Sequence, residues 1–500
     1  MRLKIAARRS DLARLQAHQV AQALNQIEPS LQMEFQFKAS LGDLDQDSPL
    51  VTMGDKGVFT RDFHADLVNG ITDLVVHSWK DLPVEPTPGT QVVATLPRAD
   101  ARDLLLLRRD SREARTIRVL SSSPRRAYNL SSFLPTVWPV PEAKFVFTNV
   151  RGNITTRLKK LLRGDGEALI VAKAALDRLL EADAAEFAEA RRDVRAAVQA
   201  CDWMVLPLSR NPCAPAQGAL AIEIKQGRVD LMSLLQRLNH APTFRAVHAE
   251  RDILAHYGGG CHQKIGVSAD VHDFGTVLSL QGRTDDGQVL HRFELSRSAH
   301  GHVKKVVSTS EYFPHDPKKT LWFERVPLPE DVWQKKISAA GALWVARANA
   351  LPTNYHPAQN QLVWTAGVSS WQALAKRGIW VNGCADGLGE HIPTRVEALA
   401  GVPVKWLRLT HQLAAQGDVG ALATYQLRPQ KKAPEIYHCK TFFWMSGSSF
   451  KRAYELFPDV LQAGEHACGP GKTAQVIRQT LGREPALFLS WEEWRHAVLP

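Results

Sequence analysis

No stretch of this chain reaches eighteen consecutive apolar residues, so nothing in it reads as a membrane span. Its opening residues, Met1-Arg2-Leu3-Lys4-Ile5-Ala6-Ala7-Arg8-Arg9, carry basic groups without an apolar run behind them, so no secretory leader is expected. The six cysteines, at 201, 213, 261, 384, 439 and 468, contain no CxxC pair. That argues against a structural zinc or a disulfide framework and for reduced thiols in the cytoplasm; no metal is expected. There is no basic tail, no lysine run and no recognisable nucleic-acid-binding motif. Gly471-Lys472-Thr473 resembles the end of a phosphate-binding loop, but the glycine required five positions earlier is His466, so the spacing fails.

What is present is 500 residues at 44% hydrophobic and 23% charged, enough for several cores and about three domains. The net charge of +11 calls for acidic partners. Single and paired arginines recur at strand ends and loops: Arg8-Arg9, Arg98, Arg102, Arg125-Arg126, Arg151 and Arg157. A planar guanidinium grips a carboxylate through two parallel hydrogen bonds. A dispersed set of such groups suits a compact polycarboxylate better than a phosphodiester backbone, and no nucleic-acid partner is expected.

Residues 2–7 read as a buried strand, with Ser10 as the N-cap of a helix carrying Leu12, Leu15, Val20, Leu24 and Ile27. Arg8 and Ser10 thus fall at a strand-to-helix junction, where helix-start amides and cations converge on an anion. Met53 to Phe59 is a glycine-flanked lysine loop of the kind that covers a ligand. Asp73 to Val76 is a strand running into His77-Ser78-Trp79-Lys80-Asp81-Leu82-Pro83, placing a hydroxyl, an ammonium and a carboxylate beyond a strand's carboxyl end, where open α/β sheets bind ligands. Strands at 104–107, 117–120, 145–147 and 169–172 continue the alternation, with Ser121 to Arg126 and Val150 to Asn153 as polar loops after them. Leu179 to Cys201 reads as one solvated amphipathic helix, and a helical run from Leu231 reaches His256. Asp286-Gly287 marks a hairpin between Val277–Gly282 and Gln288–Phe293. From about Ser298 to Lys319 periodicity is lost, as in a linker.

The helix ending at His256 leads into Tyr257-Gly258-Gly259-Gly260-Cys261-His262-Gln263. Taken alone, this is either a tight turn before a small buried thiol or a thin glycine loop presenting a thiol to a large covalent partner. In the second half, Val363 to Leu374 resembles Phe443 to Ala453; each is a strand, a small polar turn and a helix. A second glycine turn follows in both, at Asn382-Gly383-Cys384-Ala385 and at Ala467 to Thr473. Two similar α/β lobes account for this.

Lys4 to Ala13, Gly54 to Phe59, His77 to Pro83, Ser122 to Arg126, Arg151 to Leu158, Gln217 to Leu220 and Gly259 to His262 occur in the order and near the spacings of the hydroxymethylbilane synthase (porphobilinogen deaminase) family. Over roughly residues 1–310 the chain resembles that family. The resemblance implies two lobes like those of periplasmic binding proteins, at 1–103 with 213–236 and at 104–212, and a small α+β domain at 237–310. A linker at 311–322 and a two-lobed α/β domain at 323–500 would follow; the latter resembles uroporphyrinogen-III synthase. The resemblance also implies a dipyrromethane cofactor on Cys261, used as primer for condensing four porphobilinogens with loss of ammonia. Asp81 matches the family's catalytic carboxylate, with Lys80 and Arg8 beside it. Ser78, Lys80, Asp81, Ser121, Ser123, Arg125, Arg126 and Gln217 match cofactor contacts. Arg8, Ser10, Lys56, Phe59, Arg151, Asn153 and Arg157 match substrate contacts. Porphobilinogen and a linear tetrapyrrole are the implied partners, and a monomer is expected. Trp79 and Pro124 stand where the family usually has aliphatic residues or methionine and leucine. The alternative is a non-catalytic solute-binding or regulatory module of the same fold.

Overall fold

The computed structural model describes residues 2–39, 61–259, 263–296, 305–306 and 308–499. Its first sheet has the order Gln32–Lys38, Arg2–Arg8, Leu74–Ser78, Leu220–Lys225, Thr90–Ala94. Arg2–Arg8 pairs in parallel with both neighbours, while Leu220–Lys225 returns antiparallel. Ile5, Ala6, Ala7, Leu74 and Val75 are fully buried, as unbroken apolar runs must be in a sheet covered on both faces. The helix Asp11–Ile27 supplies one cover, laying Leu15, Ala17, Val20 and Leu24 on the sheet at helical spacing.

A second sheet has the order Lys144–Thr148, Thr116–Leu120, Ala168–Ala172, Asp103–Arg108, Cys201–Val205. The chain crosses between the two sheets twice, before Asp103 and after Val205. A three-stranded antiparallel meander follows, Gly266–His272, Gly275–Arg283 and Val289–Ser296, its last turn made at Asp286-Gly287 as expected. The helix Ala241–His256 binds this meander to the first sheet through Glu250. That buried carboxylate holds Arg98 at 2.6 Å and accepts the Ala216 and Ala269 amides at 2.7 Å.

Three sequence expectations need correction. Leu179 to Cys201 is not one solvated helix. The Lys173–Leu180 helix stops, Ala188–Gln199 begins anew, and Cys201 opens a fully buried strand. Alanine-rich helical propensity masked a segment whose Phe187, Val194, Ala197 and Val198 lie in the core. The run from Leu231 to His256 is two helices, broken at Asn239, with His240 capping the second just ahead of Pro242. The stretch 311–322 is not purely connecting chain, because Tyr312–Phe313 adds a parallel edge strand to the last sheet.

In the second half, a six-stranded sheet has the order Phe323–Pro327, Ala421–Pro429, Trp406–His411, Ala342–Val345, Leu362–Thr365, Gly383–Cys384. A four-stranded parallel sheet has the order Tyr312–Phe313, Thr441–Trp444, Glu465–Cys468, Ala486–Leu487. The halves share a core. The Gly383–Cys384 edge meets the Cys201–Val205 edge, where the Val205 amide donates to the Asn382 carbonyl at 2.8 Å. The Trp203 carbonyl accepts from Trp380 Nε1 and Asn382 Nδ2 at 3.1 and 3.0 Å. Fully buried Trp371 meets Phe133 edge-on, ring centroids 6.0 Å apart. The Cys201–Val205 and Gly383–Cys384 edges thereby cover one another. Among the described residues no helix is long and apolar enough to cross a membrane.

Asp103 opens the strand that follows the first crossing and is completely buried. It accepts from Arg125 Nη2 at 2.8 Å, Arg126 Nη2 at 2.7 Å, Gln217 Nε2 at 2.9 Å and Asn211 Nδ2 at 2.9 Å. Burial alone would raise its pKa; the two guanidiniums overcome this and hold the carboxyl well below the usual range. A depressed carboxyl stabilises the fold above its unfolded pKa and loses that contribution as the pH falls through the folded one. Asp103→Asn leaves two buried arginines unpaired and is expected to cost about 3–5 kcal/mol in denaturant unfolding. The variant's stability should also fall less steeply than the wild type's below about pH 4.

Candidate active site

The loops at the carboxyl ends of strands in the first two sheets enclose a cleft of about 580 Å³. From the first sheet come Arg8, Arg9 and Ser10, and Ser78, Lys80 and Asp81; from the second come Ser122, Arg126, Arg151, Asn153 and Arg157. The Asp11–Ile27 and Ile154–Arg163 helices begin at its wall, so their unpaired amides add to the positive field. Asn153 caps the second, its Oδ1 accepting the Thr156 amide at 2.9 Å. The turn before it depends on Gly152, which lies at φ +111° and where a Cβ would come within 2.7 Å of Thr156.

Asp81 sits on a single 3-10 turn, Trp79–Asp81, directly after the Leu74–Ser78 strand. Its side chain is 40% exposed and its Oδ2 is 3.9 Å from Arg8 Nη1. Trp79, on the same turn, points the other way and is 2% exposed. It packs on Phe244 and His248, ring centroids 5.4 and 5.5 Å away, so its bulk fills the seam beneath the Ala241–His256 helix and leaves the cleft open. Lys80 Nζ donates to Gln217 Oε1 at 3.2 Å. Burial lowers its pKa; Arg126 and Arg125 push the same way, against Asp81 and Asp103. Arg157 donates to the Gly152 carbonyl at 2.8 Å, and burial, with Arg126 and Arg151 nearby, lowers its pKa to about 10. Arg151 makes no ion pair with any described residue. The cleft therefore concentrates cations around few carboxylates, an unfavourable arrangement for an empty protein and a suitable one for a polyanionic ligand.

The structure separates some residues that the sequence grouped. Successive helical positions point about 100° apart. Arg126 therefore lines the cleft, while Arg125 turns behind the wall to Asp103, Asn211 and the Pro212 carbonyl. Buried Ser121 accepts the Ser123 amide, and Ser123 caps the Pro124–Val137 helix by accepting the Arg126 amide at 3.4 Å; neither lines the cleft. Ser122, which sequence reasoning passed over, does line it, with its hydroxyl donating to the Val150 carbonyl. Pro124 sits in the first helical turn, where its missing N–H costs nothing. Gln217 is a support: besides holding Lys80, it donates to the Ala101 carbonyl and Asp103. Ser78 Oγ donates to Gln16, which is buried and carried no sequence signal. Asp103 carried none either, reading as an ordinary residue before a strand.

Lys56, Phe59 and Cys261 lie outside the described residues. Those leading to Cys261 can be placed. Gly258 and Gly259 both take positive φ as they leave the Ala241–His256 helix. A Cβ on Gly259 would meet Val84 at 3.6 Å, and Arg251 donates to the Leu82 and Pro83 carbonyls. The approach to the cysteine is thus tied to the loop that carries Asp81. The positively lined cleft fits a group bearing several carboxylates: Arg126 Nε is buried on the cleft wall without a hydrogen-bond partner among the described residues.

Comparison with known proteins agrees with this geometry. The family model described as "Porphobilinogen deaminase, dipyromethane cofactor binding domain" matches residues 3–233. The chain is 33% identical over 290 residues to the porphobilinogen deaminase of Syntrophomonas wolfei, spanning 56% of this chain and 86% of that protein. It is 35% identical over 289 residues to that of Moorella thermoacetica, spanning 56% and 82%. A third relative, from Synechococcus elongatus, is 32% identical over 300 residues, spanning 59% and 86%. A cation-lined cleft backed by Asp103, with Asp81 at its edge, and relatives that match most of their own length agree: the chain belongs to the porphobilinogen deaminase family.

Proposed function

We propose that the chain is a hydroxymethylbilane synthase, joining four porphobilinogens head to tail with release of ammonia. The observation that carries this is the exposed carboxylate of Asp81, 3.9 Å from Arg8, in a cleft lined by Arg8, Arg126, Arg151, Arg157 and Lys80. Porphobilinogen carries acetate and propionate arms that guanidiniums can hold in pairs. As the aminomethyl C–N bond breaks, its electron pair leaves with nitrogen and the pyrrole becomes cationic. Asp81, fixed on its short turn, stabilises that developing charge and is placed to accept the pyrrole N–H proton. Arg8 orients Asp81 and an incoming carboxylate together. Arg125, Asn211 and Gln217 act through Asp103, keeping Arg126 and Lys80 aimed inward.

The dipyrromethane, when bound, supplies the acceptor end from which the pyrrole chain grows; Arg126, Lys80 and Ser78 are the residues placed to hold its arms. Cys261 is the proposed tether. The five described cysteines are buried, and burial pushes the Cys201, Cys213, Cys439 and Cys468 thiols up to about 12, 11, 11 and 12 and Cys384 well above its ordinary value. None of them is suited to a covalent attachment.

A second reading concerns residues 323–500, for which we propose a ring-closing activity resembling that of uroporphyrinogen-III synthase. It rests on a cleft of about 1500 Å³ between the two sheets of the second half. The loops that follow Ala342–Val345, Leu362–Thr365, Thr441–Trp444 and Glu465–Cys468 all reach it, the position where parallel sheets bind ligands. The cleft is not uniformly basic: Arg408 is held by Glu390 and Asp418, and Arg452 by Glu455. Carboxylates would be met largely by helix starts such as Gly447–Leu456 and Lys472–Leu481. A linear tetrapyrrole released to water closes to the unrearranged isomer, so an adjoining closing site is chemically sensible.

Intact mass measurement of the purified full chain should show an excess equal to two linked pyrroles, absent from Cys261→Ser; an active protein of unmodified mass would overturn the tether. Asp81→Asn should keep that excess while single-turnover consumption of porphobilinogen slows by about 10²–10³. A rate within about threefold of wild type would place the stabilising charge elsewhere. For the second half, the full chain is supplied with porphobilinogen and its oxidised products are resolved. Uroporphyrin III is expected; uroporphyrin I alone would remove the ring-closing reading and leave the first intact.

A further inference from the structure

We infer that Arg347, on the wall of the C-terminal cleft, and Arg325, in a smaller adjoining opening that Arg347 also lines, form a second carboxylate-binding site, built to take one acetate or propionate arm of a polycarboxylate. That the arm belongs to a tetrapyrrole rests on the ring-closing reading above; the preference for a carboxylate does not.

Four of the chain's enclosed arginines are paired with buried carboxylates. Arg98 is held by Glu250 at 2.6 Å, Arg102 by Asp100 at 2.6 Å, and Arg125 and Arg126 by Asp103. Arg347 is partly buried just beyond the Ala342–Val345 strand, yet its side chain has one hydrogen bond, to the Met445 carbonyl at 3.4 Å, and no ion pair among the described residues. Arg325 approaches from the Phe323–Pro327 strand and reaches the buried Tyr425 side chain, again without a carboxylate among the described residues. Two guanidiniums converge on one opening, and leaving a half-buried cation uncompensated is costly.

The neighbouring groups add no negative charge to this opening. Burial lowers the pKa of Arg347, and Arg325 lowers it further. His411, on the same wall, is brought down to about 4 by burial and by the charges of Arg347, Arg325 and Lys472, so it is neutral at pH 7 and competes for no anion. Lys472 is already paired with Glu390. Opposite Arg347, Ser446 caps the Gly447–Leu456 helix, whose ten residues aim their first amides at the same opening. The cleft of the first half has the same signature: guanidiniums in excess of carboxylates, beside helix starts, at the carboxyl ends of strands. One chain has thus built two counter-ion-poor arginine sites, and the first belongs to a family that handles polycarboxylate pyrroles.

Uroporphyrin I, a stable octacarboxylate, serves as the probe with the full-length protein. Phenylglyoxal modification of wild type, read by peptide mass, should label Arg347 and Arg325 in the free protein and be suppressed by uroporphyrin or tricarballylate. Arg347→Gln and Arg325→Gln should weaken uroporphyrin binding by at least about tenfold, the loss of one charged hydrogen bond, with unchanged thermal unfolding. Unchanged labelling at saturating probe, or displacement by inorganic phosphate but not by tricarballylate, would overturn the site; the labelling test stands even where a variant misfolds. Isomer I from wild type together with protection of Arg347 would refute the ring-closing reading and leave the site standing.

Discussion

Everything in the first half converges on one carboxylate. Asp103 is buried without exposure to water, and an isolated charge there would be untenable. It survives because two guanidiniums and two amides from three separate segments surround it. Those segments are the start of the Pro124–Val137 helix and the stretches of the return crossing around Asn211 and Gln217, all meeting at the start of the second sheet. Their common dependence on one group fixes the relation between the two sheets. It also sets the direction of Arg126 and, through Gln217, of Lys80. The inward aim of Arg126 and Lys80 therefore follows from how the crossing is secured.

A second constraint acts on the other side of the crossing. Glu250 binds Arg98 and the amides of Ala216 and Ala269, tying the meander to the same joint. The Ala241–His256 helix that carries Glu250 is also the one that leads to Cys261. Trp79 fills the seam beneath that helix, so its bulk is accommodated without narrowing the cleft. Stability and positioning are here the same interactions.

The two halves are joined by more than their connecting chain. Lobe faces that a free-standing enzyme would leave to water are covered by Trp371, Trp380 and Val381, and two sheet edges meet through the Val205 amide. The segment carrying Ser209 and Arg210, which leaves the second sheet, also lines the C-terminal cleft, where Ser209 is held by Asp386. The crossing thus borders the C-terminal cleft directly and reaches the first cleft through the contact of Gln217 with Lys80.

The motifs around Arg8, Asp81, Arg126, Asn153 and Gly152 were legible in the sequence because each is local: a strand, a turn and a helix start within a dozen residues. Local chemistry also marked the paired strand–turn–helix units of the second half and the hairpin at Asp286-Gly287. Propensity misled wherever long-range burial overruled it, as at Cys201–Val205 and Tyr312–Phe313, where strands formed because a distant partner was waiting. It could not tell Arg125 from Arg126, or Ser121 and Ser123 from Ser122, since neighbours in sequence share composition but not direction. Asp103, Gln16 and Arg347 gave no sign at all. A single charged or polar residue becomes a support or a binding group only when partners from other segments close around it, or fail to, and that is decided by tertiary structure alone.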